Sequence, residues 1–300
     1  MKPRICVIGS SNTDMIIKVP RTPSPGETIL GVEFSMVQGG KGANQAVAAA
    51  RAGGKVSFIA CVGNDQFGRD AMKSLASEGI DISCVKIHNI KPSGIALINV
   101  AEDGTNSISV APGANSQLHP EDILKVQDVI KNSDIVLMQM EIPVETIKAV
   151  TKITRKSNSL VILNPAPASH LDSDIIENID VLTPNENEAA LIAETDPAEA
   201  DFVSLGKKLH GMGLKTIIIT LGANGAFYSC DGSCNHIKTD KVNAIDTTAA
   251  GDVFNGYLCV SLALGKNIEE AVRVANKAAS ISVTRFGAQP SIPFAEEVII

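Results

Sequence analysis

The 300-residue chain predicts an α/β fold in which a mainly parallel central sheet carries helices on both faces and a small β-sheet is inserted beside it. Three observations lead there. Short apolar runs alternate with segments of helical period along most of the chain, as strand–helix–strand units require. Hydrophobic residues make up 44% but aromatics only 3%, so the core is aliphatic, as in sheets covered by helices. Two segments, 13–37 and 93–111, break the alternation with short strands joined by turns.

In chain order, the apolar run 5–8 ends at Gly9 and reads as a buried strand. Runs 56–62, 135–138, 160–163, 181–182 and 216–220 read the same way. Between them, 43–52, 68–78, 120–131, 143–156, 186–193 and 201–211 carry helical patterns. Residues 94–100 and 106–111 form a hairpin around Asp103-Gly104. The expected division is therefore a core of 1–12, 38–92 and 112–300 with an inserted sheet of 13–37 and 93–111. An insertion over the carboxyl ends of the strands, where ligands bind in such sheets, can act as a lid.

Net charge is −7, which argues against a nucleic-acid partner. No apolar stretch approaches the ~20 residues of a membrane span, and no signal peptide is evident, so a cytoplasmic protein is expected. Of the six cysteines, Cys230 and Cys234 flank a turn at 231–233 and can face each other across it. They pair as a disulfide or, in a reducing compartment, remain thiols.

The most informative run is Asp246-Thr-Thr-Ala-Ala-Gly-Asp252, followed by apolar residues at helical spacing from Val253 to Leu264. Small residues at Ala249, Ala250 and Gly251 let an anion approach the unbonded N–H groups and positive dipole end of a helix. Asp252 is then a carboxylate beside an anion hole, a pairing suited to phosphoryl transfer. An N-capping aspartate on an ordinary helix is the competing explanation. Upstream, Asn12 and Asp14 follow the first strand and can hold adjacent hydroxyls of a polyol. Gly39-Gly-Lys-Gly-Ala-Asn-Gln45 precedes a helix but lacks the GxxxxGK[ST] pattern, which excludes a P-loop. Gly9-Ser-Ser-Asn12 lacks the dinucleotide fingerprint, which excludes a Rossmann oxidoreductase.

Together, Pro25-Gly-Glu-Thr28, Gly39 to Ala46 and Asp246 to Asp252 resemble the two signatures of the ribokinase-like (PfkB) carbohydrate kinases. Asn12-Thr-Asp14, Asn164-Pro-Ala-Pro167, Thr183-Pro-Asn-Glu-Asn-Glu188, Thr220 to Gly225 and Thr284 to Ser291 extend the resemblance in order over nearly the whole chain. It implies the ribokinase-like three-layer sandwich with a β-sheet lid, and ATP-dependent phosphorylation of D-ribose at its 5-hydroxyl. By position, Asn12, Asp14, Gly40, Lys41, Asn44 and Glu141 would hold the sugar, with Asp252 as general base on the hydroxyl. Ala249, Ala250 and Gly251 would supply N–H groups to the moving phosphoryl group. Asn185 and Glu188 would help place Mg²⁺ and phosphate through water, since Mg²⁺ keeps much of its hydration shell. Thr220, Gly222 and Gly225 would line the nucleotide, with Asn276 beside the adenine.

The resemblance further implies a monovalent-cation site for K⁺ at Asp246, Thr248, Ser282, Arg285, Gly287 and Ser291, and a homodimer through the lid sheets. Two competing readings remain at this level. One is another acceptor on the same fold, such as 2-deoxyribose, fructose or adenosine. The other is a sugar-binding protein without catalysis. The Asn12/Asp14 pair and the Gly-Gly-Lys-Gly-Ala-Asn run favour ribose. The intact Asp252, the small-residue hole and the Asn185/Glu188 pair favour catalysis.

Overall fold

A computed structural model describes residues 2–198, 201–230 and 232–299. In chain order its strands are β1 (Arg4–Ile8), β2 (Asn12–Val19), β3 (Glu33–Gly39), β4 (Lys55–Ile59), β5 (Cys61–Gly63), β6 (Lys86–His88) and β7 (Gly94–Ala101). They continue with β8 (Asn106–Ala111), β9 (Ile135–Met138), β10 (Leu160–Leu163), β11 (Val181–Leu182), β12 (Thr216–Thr220), β13 (Ala226–Cys230) and β14 (Ser233–Ile237). The central sheet runs β14-β13-β12-β11-β10-β9-β1-β4. Neighbours from β4 to β12 are parallel, and β13 and β14 close one edge antiparallel.

Alternation along β1 explains the apolar runs. Ile5 and Val7 enter one core layer with Val56, Phe58 and the helices Lys41–Arg51, Ala250–Ala263 and Ile268–Ser282. Cys6 and Ile8 enter the other layer with Val136, Met138 and the helix Val144–Thr154. A strand covered on both faces has no solvated side on which a polar residue is tolerated, so Ile5 to Ile8 are all apolar and only Arg4, at the exposed end, is charged. The first of these layers sets the site. The helices Lys41–Arg51 and Ala250–Ala263 approach so closely that a Cβ on Gly256 would lie 2.4 Å from Ala48 Cβ. This contact brings the start of one helix beside the start of the other.

The second sheet runs β3-β2-β7-β8. Its central pair, β2 and β7, is parallel and both outer strands are antiparallel. It leaves Phe34, Met36, Leu97, Ile108 and Val110 exposed.

Three sequence expectations differ from the structure. The run 56–62 is two strands: β4 stays in the central sheet while β5 pairs with β6 in a separate sheet. Both halves are buried, so apolarity gave no sign of the bend between them. The segment 120–131 breaks at Val126, at φ −113 and ψ 14, into Pro120–Lys125 and Gln127–Lys131. Ile123 and Ile130 are buried on either side of the break, and their i, i+7 spacing continues a helical pattern across it. Finally, Cys230 lies opposite Ser233 and Cys234 opposite Ser229. Opposed residues share a face and successive ones alternate, so the two cysteines occupy opposite faces instead of meeting across the turn. Asp231 of that turn lies outside the described residues. Among the described residues, no helix is long and apolar enough to cross a membrane.

Candidate active site

Asp252 sits in the first turn of the helix Ala250–Ala263 and is buried. The preceding Ala249 takes the left-handed conformation, φ 61, which costs a non-glycine residue about 1–2 kcal/mol. Such strain persists where surroundings enforce it, often at functional sites. Among the described residues the N–H groups of Ala249, Gly251 and Asp252 have no acceptor, whereas that of Ala250 bonds to Thr247 O at 3.3 Å. Of the expected donors Ala249, Ala250 and Gly251, Ala250 is the one whose N–H is engaged within the loop. A Cβ on Gly251 would meet nothing within 4 Å, so open space lies over this helix end.

Side chains from distant segments hold the carboxylate of Asp252. Asn44 Nδ2 donates to Oδ2 at 3.0 Å and Gln45 Nε2 donates to Oδ1 at 2.9 Å. Gln45 Nε2 also reaches Asn164 Oδ1 at 3.1 Å, and Gln139 Nε2 donates to Gln45 Oε1 at 2.5 Å. Gln289 Nε2 donates to Asn44 Oδ1 at 3.3 Å. Burial raises the Asp252 pKa above the ordinary 3.8, against the opposing pull of Lys41 and of the Asn44 and Gln45 hydrogen bonds. A carboxylate more basic than usual, yet held in one orientation, is suited to accept a proton. Gln45, Asn164 and Gln289 stand within the motifs that carry the family resemblance, each without an assigned role, but Gln139 carried no signal. A lone glutamine in an apolar or loop context looks like any other.

Lys41, at the start of its helix, is placed among four carboxylates. Burial lowers its pKa, but Asp252, Glu141, Glu188 and Asp14 together outweigh that effect and leave it raised. Lys41 is therefore firmly protonated, a fixed positive charge beside the Gly251 opening. Asp14 lies on the far side of this cluster. Its pKa is raised from 3.8 to about 6, by burial first and then by Glu141 and Asp252, with Lys41 opposing. The other expected sugar residues gather here. Gly40 has φ 88, and a Cβ on it would lie 2.7 Å from Asn12 N. That close approach and left-handed backbone require glycine. Glu141 Oε2 accepts from Ser10 Oγ at 2.5 Å and from Lys41 N at 3.1 Å, so it braces the glycine turn from below. Asn12 Oδ1 accepts from Asn115 Nδ2 at 2.7 Å.

Two adjoining cavities open from the same helix end. The smaller, about 230 Å³, is lined by Lys41, Asn185, Glu188, Thr220 and Ala249 to Asp252, with Asn164 and Asn255 behind. The larger, about 500 Å³, is lined by Thr220, Gly222, Gly225, Phe254, Asn276 and Val283 among others. They share Thr220, Thr247, Ala250 and Gly251. Gly225 has φ 90, and a Cβ there would lie 2.1 Å from Ile237 O. Asn276 Nδ2 donates to that same carbonyl at 3.1 Å, which fixes its amide at the cavity wall. Asn185 and Glu188 cap one another at the start of the helix Glu186–Ile192: Asn185 N donates to Glu188 Oε2 at 2.8 Å, and Glu188 N donates to Asn185 Oδ1 at 2.8 Å. Capping uses only one carboxylate oxygen of Glu188, and Oε1 has no hydrogen-bond partner among the described residues. Burial raises the Glu188 pKa, with Asp252 adding to the effect and Lys41 and the Asn185 amide opposing it.

The six expected cation-site residues come from the loop before the helix Ala250–Ala263 and from the last residue of the helix Ile268–Ser282 with the segment after it, and the two segments meet where Gly287 N donates to Asp246. Asp246 Oδ1 accepts from Thr248 N at 2.9 Å and Thr248 Oγ1 at 2.6 Å, and Oδ2 accepts from Gly287 N at 2.9 Å. Ser282 and Ser291 are fully buried and donate to Ala279 O and Ala288 O, each at 2.8 Å. The Arg285 guanidinium is engaged by Glu297, so only its backbone is available to the loop. Among the described residues no cluster of three or more His, Cys, Asp or Glu offers metal ligation. What this junction provides is carbonyl, hydroxyl and carboxylate oxygen, the donor set of a hard cation.

Comparison with known proteins agrees with this geometry. The pfkB family carbohydrate kinase model matches residues 2–295. A ribokinase of Haemophilus influenzae is 43% identical over 300 residues, covering 100% of this chain and 98% of its own. The crystal structure of a ribokinase from Thermotoga maritima superposes with a TM-score of 0.90 at 40% identity, covering 99% of this chain and 98% of that one. A ribokinase of Arabidopsis thaliana, solved with ribose and ATP, superposes with a TM-score of 0.91 at 32% identity and the same coverage. A buried carboxylate at an open helix end, two joined cavities and a family match along the whole chain lead to one conclusion: this protein belongs to the pfkB family of carbohydrate kinases.

Proposed function

We propose that this protein transfers the γ-phosphoryl group of ATP to O5 of D-ribose, giving D-ribose 5-phosphate and ADP. The observation that carries the reading is Asp252, a buried carboxylate held by Asn44 and Gln45 where the two cavities meet at Gly251. The larger cavity takes the nucleotide along Thr220, Gly222, Gly225 and Asn276, and ribose lies between Asp252 and the Asn12/Asp14 side. As the O5–P bond forms and the bond from γ-phosphorus to the ADP oxygen breaks, the hydroxyl proton passes to Asp252. The free N–H groups of Gly251 and Asp252, together with Lys41, stabilise the charge on the transferring group.

Asn185 and the free oxygen of Glu188 would hold Mg²⁺ through its water, where the ion supplies charge neutralisation for the phosphates. K⁺ at the Asp246–Gly287 junction would stiffen the anion-hole loop without touching substrate. The small sheet closes over ribose to exclude water and limit ATP hydrolysis. Its exposed Phe34, Met36, Leu97, Ile108 and Val110 favour pairing with the same sheet of a second copy, so sedimentation at micromolar concentration is expected to give a dimer mass. The cytoplasm, where ATP is abundant, is the compartment this chemistry calls for.

ADP release measured with ATP, Mg²⁺ and D-ribose, with and without K⁺, tests the reading. The expected result is ribose-dependent turnover that rises with K⁺. Turnover indifferent to K⁺ removes the cation assignment, and turnover with another sugar but not ribose removes the acceptor. The same assay at decreasing pH is expected to lose ribose affinity below about 6, where Asp14 becomes protonated and no longer serves as a pure acceptor.

A further inference from the structure

Where the chain crosses between the core and the small sheet, Asn115 holds a position that neither the sugar cluster nor the phosphoryl chemistry accounts for. It lies in the short 3₁₀ turn Gly113–Gln117, just after β8, and is 1% exposed. Its amide orientation is unambiguous because its partners are backbone. Ser11 N, which can only donate, gives a hydrogen bond to Asn115 Oδ1 at 2.9 Å. Ser11 O, which can only accept, receives one from Asn115 Nδ2 at 3.2 Å. The same Nδ2 donates to Asn12 Oδ1 at 2.7 Å. The Asn12 amide is thereby oriented in turn: its oxygen is engaged, and its Nδ2 has no partner among the described residues. Gly94 completes the seat, since a Cβ there would lie 2.2 Å from Asn12 Oδ1 and 2.3 Å from Asn115 Nδ2.

We infer that Asn115 is a positioning residue for sugar recognition, which locks Asn12 with its NH₂ edge toward the acceptor so that Asn12 donates to one hydroxyl while Asp14 accepts from its neighbour. This rests on the sugar-kinase reading above. An unlocked Asn12 presents either edge, and with its oxygen forward it repeats what Asp14 already offers. A hydroxyl of the polyol then loses its donor. Because Asn115 belongs to the chain leaving the small sheet and Asn12 to the chain entering it, the lock also ties both crossings together.

The test is a double-mutant cycle on ribose KM. Asn115→Asp keeps the acceptor for Ser11 N but sets an oxygen against Asn12 Oδ1, and Asn115→Leu removes the lock. Each is expected to raise ribose KM about tenfold, the cost of one oriented neutral hydrogen bond, with ATP KM unchanged and kcat reduced less. In an Asn12→Ala background neither substitution is expected to raise ribose KM further. Multiplicative effects in that background would overturn the assignment and leave the kinase reading intact. Loss of ribose turnover in the wild-type protein would overturn both. Asn12→Asp provides an arm that leaves Asn115 in place: it accepts from Asn115 but has no donor for the sugar. It is expected to raise ribose KM like the Asn115 variants, and wild-type KM in it also overturns the proposal.

Discussion

Asp252→Asn is expected to lower kcat by on the order of 10²–10⁴-fold, the usual contribution of a positioned general base, while ribose and ATP still bind. The substituted side chain fills the same space but has no basic oxygen for the hydroxyl proton. One of its two ends also presents NH₂ to Asn44 or Gln45, both of which donate to the carboxylate in the native protein. Steady-state kinetics with ribose titrated at saturating ATP check this, and near-normal kcat would remove the base from the mechanism. Stability should respond in a way that separates chemistry from folding. The folded-state pKa of Asp252 lies above the unfolded value of about 3.8. The folded protein therefore binds the proton more tightly, and the associated stability is present below the unfolded pKa and lost as pH rises through the folded one. Asparagine has no such loss. The melting temperature of the variant relative to wild type is thus expected to increase as pH is raised from about 4, and a constant offset across pH would contradict the burial argument.

Gly251→Ala is expected to cost on the order of 10²–10³-fold in kcat, the scale for disabling one donor of an anion hole, with no loss of stability. The two effects have separate causes. A methyl group at 251 meets no protein atom within 4 Å, and alanine is favoured over glycine inside a helix by about 1 kcal/mol. The fold thus has no reason to weaken. The same open space is where two cavities join, so the methyl group occupies the approach of the phosphoryl group to the Gly251 and Asp252 N–H groups. Thermal melts together with initial rates decide the matter. Unchanged turnover would mean that the helix end is not the anion site, and a lowered melting temperature would mean that the rate loss reflects folding.

Much of the fold was legible locally. The strands of the parallel sheet appear as unbroken apolar runs because both faces are covered, as at Ile5 to Ile8. The helix head at 249–252 was legible because small residues, an acid and a helical period fall within a few positions. The mutual capping of Asn185 and Glu188 is also a three-residue pattern. Elements whose identity depends on partners were not. Nothing in 56–62 marks the point at which β4 and β5 join different sheets, because the signal of a buried strand is the same whichever neighbour it finds. Gln139 gave no warning of its place beside Gln45, since a single amide acquires a role only from what it touches.

The sequence by itself determined the fold class and the segment in which a carboxylate meets an open helix end, both properties carried by side-chain pattern over a few turns of chain. Only the tertiary structure decided how that group is oriented. Asn44 and Gln45 reach Asp252 across separations of 208 and 207 residues, and Asn115 reaches Asn12 across 103. Periodicity reports the solvent on each face of a local element. A hydrogen bond between remote segments depends on how those elements pack, at Gly256 against Ala48 and at Gly94 beneath Asn12 and Asn115, and that packing is a property of the whole chain folded together.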